Sequence, residues 1–194
     1  MIGLLLSGGM DSTALAYMHR PDVAFNVDYG QIPAMAERRA SKAICESLGI
    51  NLVEISVDCS GLGSGDLSDR GAIEVAPETD WWPYRNQLLI TLCAMKAVEL
   101  GVSSILIGTV RSDSFHADGS PRFVEDMDRL LRRQEGGISV SAPAIALSTV
   151  ELIRQSRIPL ELLAWCHSCH KADIPCAECR GCNKYFSTMI ELEW

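Results

Sequence analysis

The chain has 194 residues, of which 22% are charged and 47% hydrophobic, and its formal net charge is −8. That length fits one domain with at most a small appendage and suffices to bury a proper core. The acidic balance argues against broad attraction to nucleic acid or anionic membrane and favours a small-molecule partner. No apolar run approaches the roughly 18 residues of a membrane span, and no basic segment with an apolar signal core opens the chain, so a cytoplasmic address is expected.

The pattern of apolar residues alternates between strand and helix periods. Ile2 to Ser7 reads as a short buried strand and Asp11 to His19 as a helix. Val23 to Asp28 reads as a strand, and Pro33 to Leu48 as a helix with one apolar face. Asn51 to Val57 alternates apolar and polar residues, as a third strand would. A Gly, Ser and Asp-rich stretch from Asp58 to about Gly71 reads as a loop. Helices are expected over Asn86 to Leu100, Phe123 to Gln134 and Val150 to Arg157, with a buried strand over Ser104 to Gly108. This order predicts an α/β fold with a doubly wound parallel sheet.

Five of the eight cysteines, Cys166, Cys169, Cys176, Cys179 and Cys182, fall within 17 residues. In a chain without a signal segment such crowding favours a metal over disulfides. The Cys-x2-Cys-x2-Cys run from Cys176 supplies three thiolates from one compact turn, and Cys166 and Cys169 compete to be the fourth. A closed four-cysteine zinc site is structural, because it leaves no open coordination position. His167 and His170 read as neighbours of the site, and Cys45, Cys59 and Cys93 as packing residues.

Near the start, the apolar run Leu4 to Leu6 breaks abruptly into Ser7-Gly8-Gly9-Met10-Asp11-Ser12. Two glycines let the backbone turn freely and approach a ligand, and a helix start with unpaired N–H groups favours an anion. This is a phosphate cradle or a tight strand-to-helix turn capped by Ser7 or Asp11. No Lys follows the glycines, so it is not the Gly-x4-Gly-Lys-Ser/Thr loop.

The string Ser-Gly-Gly-x-Asp-Ser resembles the pyrophosphate-binding loop of the N-type ATP pyrophosphatases. Four further segments narrow the resemblance to the 7-cyano-7-deazaguanine synthase family: Asp28-Tyr29-Gly30-Gln31, Pro83-Tyr84-Arg85-Asn86, Ile107-Gly108-Thr109 with Asp113, and the terminal cysteines. It covers nearly the whole chain in the family's order. The resemblance implies an ATP-binding α/β body over 1–160 and a small zinc-binding segment over 161–194, with Cys169, Cys176, Cys179 and Cys182 as the ligands. It implies that ATP adenylates the carboxylate of 7-carboxy-7-deazaguanine, that ammonia displaces AMP to give an amide, and that a second activation dehydrates the amide to a nitrile.

On this reading Ser7, Gly8, Gly9, Asp11 and Ser12 hold pyrophosphate, with Mg²⁺ neutralising the phosphates, and the backbone at Val27 and Asp28 borders the adenosine. Ser7, Asp11, Ser12 and Arg85 are the candidate catalytic residues. Arg85 can pair with a carboxylate in a forked geometry, whereas Asn86 reads equally as a substrate contact or a helix cap. Asp113 and Asp118 can accept protons of a guanine-like base, and Tyr29, Trp82 and Phe115 are stacking candidates or simple packing. Members of the family are commonly dimers, so a homodimer is expected.

The chain departs from the family pattern in two places. Where members carry Ser-Gly-Tyr-Pro-Asp-Cys-Arg, it has Phe115-His116-Ala117-Asp118-Gly119-Ser120-Pro121. Where they carry Lys-x-Glu before the late helix, it has Thr149-Val150-Glu151, which removes a cation that could contact phosphate. These departures motivate an alternative: a paralogue that adenylates the deazapurine carboxylate and conjugates it to an amine of a partner protein, a role the resemblance permits because some relatives of the family occur in bacterial antiphage operons. A tRNA-thiolating enzyme with the same loop is a third reading. A binding module with a vestigial nucleotide site is a fourth, and the intact motif counts against it.

Overall fold

The protein is described here by a computed structural model covering residues 1–193. Five strands, β1 (Ile2–Leu5), β2 (Val23–Asp28), β3 (Asn51–Ser56), β4 (Ser104–Leu106) and β5 (Ser139–Ser141), form one all-parallel sheet in the order β3-β2-β1-β4-β5. The helices are α1 (Met10–His19), α2 (Ala34–Leu48), α3 (Arg85–Leu100), α4 (Pro121–Leu131), α5 (Thr149–Ser156), α6 (Leu160–Leu163) and α7 (Arg180–Glu191). The doubly wound α/β expectation holds.

Strand alternation builds two cores. Val23, Phe25 and Val27 of β2 point to one face, where they join Ile105, Ile90 and Cys93 of α3 and Val124 and Met127 of α4. Leu4, Leu6, Ala24 and Leu106 point to the other, against Ala14 and Leu15 of α1, Ile44 of α2 and Leu152 and Ile153 of α5. Burial on both faces explains why these strands read as continuous apolar runs. Cys45 and Cys93 lie in these cores, and burial pushes both thiols up, Cys45 to about 11, as packing residues.

Several boundaries differ from the pattern-based expectation. β1 ends at Leu5 and β4 at Leu106, because the chain must turn away from the sheet to form the loops above it. α4 begins at Pro121 rather than Phe123, since the Ser120 side chain accepts from the Phe123 N–H and proline suits the first turn. β5 is three residues long, α6 lies just before the cysteine segment and α7 begins within it; all three went unpredicted. The expected loop after β3 contains two short 3-10 turns, with Leu67 2% exposed.

That loop is organised by Trp82, itself 2% exposed. Its ring meets Tyr29 edge-on with centroids 4.9 Å apart, and a Cβ on Gly63 would lie 2.7 Å from it. Trp82 is therefore a packing residue rather than a stacking platform. Trp82→Ala should cost about 3–5 kcal/mol of stability in urea unfolding. A loss under about 1 kcal/mol would show that the ring does not hold the loop to the sheet.

Candidate functional site

The sheet order reverses between β1 and β4, and the crevice above that point is where open α/β sheets bind ligands. A cleft of about 670 Å³ lies there. On one side is the turn after β1. The buried Asn26 amide donates to the Leu6 carbonyl at 3.0 Å and to Ser41 Oγ at 3.1 Å, while Ser41 Oγ donates to the same carbonyl at 3.1 Å. This triangle fixes the last carbonyl before the turn.

Gly8 then adopts φ +78°, and a Cβ there would meet Ala40 Cβ at 2.7 Å and the Glu37 carbonyl at 3.0 Å. Only glycine satisfies both the backbone angle and the space. Gly9 precedes α1 without a side-chain cap, so the first-turn N–H groups stay open toward the cleft. Ser7 Oγ and Ser12 Oγ are 3.3 Å apart across the turn. Opposite, Gly108 passes so close that a Cβ would stand 3.0 Å from the Ser12 nitrogen. The arrangement is a backbone cradle for an anion, floored by α1.

The carboxylates and cations of the cleft come from distant parts of the chain. Asp11 is buried, which raises its pKa against the opposing pull of Lys184. Lys184 Nζ donates to Asp11 Oδ2 at 2.8 Å and stands 3.6 Å from Asp113 Oδ1. Burial lowers the pKa of that ammonium, but Asp11 and Asp113 outweigh it and raise it. Asp11 Oδ1 is buried with no hydrogen-bond partner among the described residues.

Arg85, the first residue of α3, also lines the cleft. Burial opposes its charge, but Tyr29, Asp118, Asp80 and Glu37 outweigh that and raise its pKa. Among the described residues, no carboxylate lies within ion-pair distance of its guanidinium. Glu37 accepts from Gln31 Nε2 at 2.8 Å, and burial pushes its carboxyl up to about 7. Asp80, Arg180, His116 and His170 make a compact group at the wall: Asp80 is 3.3 Å from Arg180, 3.6 Å from His116 and 3.5 Å from His170. Burial works to raise Asp80, yet these neighbours hold it well below the usual carboxylate range. Burial lowers His170 to about 4.

The expected site residues fare unequally. Ser7, Gly9, Asp11, Ser12, Val27, Tyr29, Arg85, Asn86 and Asp113 line the one cleft, with Gly8 buried beneath the turn. Asp28 does not line it: its carboxylate accepts from the Gly30 N–H at 3.1 Å and faces Arg38 at 3.7 Å. Asp118 does not either, because it accepts from the Asn86 backbone N–H at 3.1 Å and so serves the start of α3. Asn86 donates its amide to the Asp118 carbonyl at 2.8 Å, so it is not the cap. Phe115 stands outside the cleft, 57% exposed, with Arg180 over its ring.

Lys184, Arg180, Asp80, His116, His170 and Glu37 were not foreseen. Spacing of four puts Lys184 and Arg180 on one face of α7, but nothing local in the sequence pairs that face with Asp11 or Asp80.

Four sulfurs, those of Cys169, Cys176, Cys179 and Cys182, lie within 4.8 Å of one another. Cys176 and Cys182 Sγ are 3.9 Å apart and Cys169 and Cys179 Sγ 4.0 Å apart, close to the roughly 3.8 Å edge of a tetrahedron around zinc. The donor set fits a zinc ion with a closed shell. Backbone N–H groups hold Cys176 down to about 6, while burial pushes Cys182 up to about 12. Cys166 lies apart and donates to Thr13 Oγ1 at 3.3 Å. The cluster also caps α7, since Cys179 Sγ accepts from the Cys182 N–H at 3.4 Å. The same segment touches the anion cradle, where the His167 N–H donates to the Gly8 carbonyl at 2.9 Å.

The chain resembles known proteins over almost its full length. A family model described as queuosine biosynthesis protein QueC matches residues 2–190. A 7-cyano-7-deazaguanine synthase of Aliarcobacter butzleri is 29% identical over 199 residues, covering 92% of this chain and 86% of its own. Another, from Koribacter versatilis, is 32% identical over 202 residues, with 92% and 84% covered. Among solved structures, the U34-tRNA thiolase NcsA from Methanococcus maripaludis superposes with a TM-score of 0.56 at 16% identity, covering 99% of this chain and 65% of that one. The last likeness speaks for the fold alone. With the cradle, the cleft and the cysteine cluster in the family's order, the chain belongs to the QueC family of queuosine biosynthesis proteins and is an enzyme of the ATP-dependent ligase type.

Proposed function

We propose that the protein converts 7-carboxy-7-deazaguanine to 7-cyano-7-deazaguanine at the expense of ATP, with ammonia as the nitrogen donor. The observation that carries this reading is that an open anion cradle and Arg85, which makes no ion pair with a carboxylate among the described residues, line the same cleft. A carboxylate is a poor electrophile until one of its oxygens becomes a leaving group. Arg85 grips the substrate carboxylate in a forked geometry and aims an oxygen at the α-phosphorus of ATP.

As the bond between the α-phosphorus and its bridging oxygen breaks, pyrophosphate departs into the N–H groups of the Ser7–Ser12 turn, which stabilise its charge. Ammonia then displaces AMP to give the amide. A second adenylation, on the amide oxygen, lets AMP and a proton leave as the nitrile forms. Glu37, poised near neutrality by burial, is the cleft group suited to take protons from the attacking amine. Tyr29 and Val27 border the nucleoside.

Mg²⁺ supplies charge neutralisation on the triphosphate, and Asp11 Oδ1, buried and without a partner, is the oxygen that suits it. Zinc held by Cys169, Cys176, Cys179 and Cys182 is structural. Residues 1–160 form the nucleotide-binding body and 161–194 the metal-binding segment, and the protein acts in the cytoplasm.

The decisive experiment follows AMP and every deazapurine product by mass spectrometry with 7-carboxy-7-deazaguanine, ATP, Mg²⁺ and ammonia. Nitrile should accumulate with two AMP formed per nitrile. Accumulation of adenylate or amide despite ammonia would overturn the nitrile reading and favour conjugation to a partner-protein amine.

Arg85→Lys keeps a positive charge but loses the fork, and should lower kcat/KM for the carboxylate roughly 10- to 100-fold while leaving ATP binding intact. Equal losses for both substrates would assign Arg85 to the fold of the cleft instead. Purified protein should carry one zinc per chain by native mass spectrometry, and Cys176→Ser should lose it and expose α7 amides to hydrogen exchange. Retention of zinc in that variant would remove Cys176 from the ligand set.

A further inference from the structure

The cradle itself contains no cation: Leu4 to Ser12 offers hydroxyls, backbone N–H groups and one carboxylate. Beside it stand two carboxylates, Asp11 and Asp113, that would repel a triphosphate. The charge that offsets them arrives from the far end of the chain. Lys184 Nζ bonds Asp11 at 2.8 Å and lies 3.6 Å from Asp113, with its side chain 34% exposed on the cleft side. An ammonium has three donors, so one remains for a ligand after both carboxylates are served.

The other cleft cations do not take this place. Arg180 is held by Asp80 at 3.3 Å and His116 at 3.1 Å, and Arg85, at the start of α3, has Tyr29, Asp118, Asp80 and Glu37 as its charge neighbours rather than Asp11 and Asp113. Lys184 lies one turn after Arg180 on α7, whose first turn contains Cys182 and whose cap is Cys179 Sγ. At the other end of α7, Arg154 of α5 donates to the Glu191 carbonyl at 3.0 Å. The cysteine cluster therefore fixes the helix that delivers the lysine.

We propose that Lys184 is a nucleotide-binding residue, an ammonium supplied by the cysteine-capped helix that contacts the β- and γ-phosphates of ATP over the Ser7–Ser12 cradle. The proposal rests on the ATP-dependent reading of the site. The cysteine segment thus completes the nucleotide site rather than decorating it. Loss of Lys184 acts twice, since it removes a phosphate contact and leaves two carboxylates uncompensated beside a polyanion.

The test is calorimetric titration of the zinc-loaded protein with the α,β-methylene analogue of ATP and with AMP, both with Mg²⁺, for the wild type, Lys184→Met and Lys184→Arg. Zinc content is measured on each sample. Met keeps the aliphatic stem, so the variant tests charge rather than packing. The analogue should bind Lys184→Met about 10- to 100-fold more weakly, AMP affinity should change far less, and Lys184→Arg should recover part of the loss.

Analogue binding as tight as wild type in a zinc-loaded Lys184→Met would overturn the proposal, as would equal losses for the analogue and AMP. If Lys184→Met loses zinc, Lys184→Arg with full zinc decides: preference for the analogue over AMP supports the proposal, and its absence overturns it. Should the wild type bind neither nucleotide, the ATP reading of the site falls first and this proposal with it.

Discussion

The contact between Lys184 and Asp11 joins the last helix of the chain to the first, 173 positions away. The pair is only partly buried, with the Lys184 side chain 34% and the Asp11 side chain 15% exposed, so its net stabilisation is small, but removing the lysine leaves Asp11 and Asp113 uncompensated. That asymmetry makes the pair a registration device: α7 docks where its ammonium meets Asp11 and Asp113, and other placements strand charges. Arg180 against Asp80 repeats the logic one turn earlier on the same helix. The cleft is closed on one side by these two contacts.

A second constraint acts beneath them. The Asn26 and Ser41 side chains pin the Leu6 carbonyl, and Gly8 makes a turn that no side chain could fill. Buried amide and hydroxyl groups are tolerable only when fully paired, so the two residues hold one geometry. The open N–H groups of α1 consequently face the cleft without side-chain competition. Gly108 brings the strand-end on the other side of the switch point against Ser12. Together these close approaches set the width of the cradle, which is why glycines recur around it.

The cysteine cluster links the two. Its sulfurs cap α7, its His167 N–H bonds the Gly8 carbonyl, and Cys166 reaches Thr13 of α1. Four cysteines that could hold a metal leave no open coordination position for chemistry, so the part this cluster plays at the cleft is positional. The departures from the family pattern acquire a physical setting here. Thr149, where a lysine was expected, is 5% exposed and packs beside Asp11. His116, in the altered segment, lines the cleft wall, buried against Asp80 and Arg180.

The sequence by itself determined the parallel α/β architecture, the Ser-Gly-Gly turn and the three-cysteine run, because each depends on local periodicity or on glycine and thiol chemistry at short spacing. It carried the cleft roles of Asp11, Arg85 and Asp113 as far as candidates. Only the tertiary structure decided between Cys166 and Cys169, since both lie at workable spacing and differ in which neighbour their sulfur reaches. It alone turned Asp28 and Asp118 away from the cleft, toward Gly30 and Asn86. It alone brought in Lys184, because pairing of a lysine with an aspartate so distant in the chain is written in no local pattern and follows from packing α7 against α1 and the cradle.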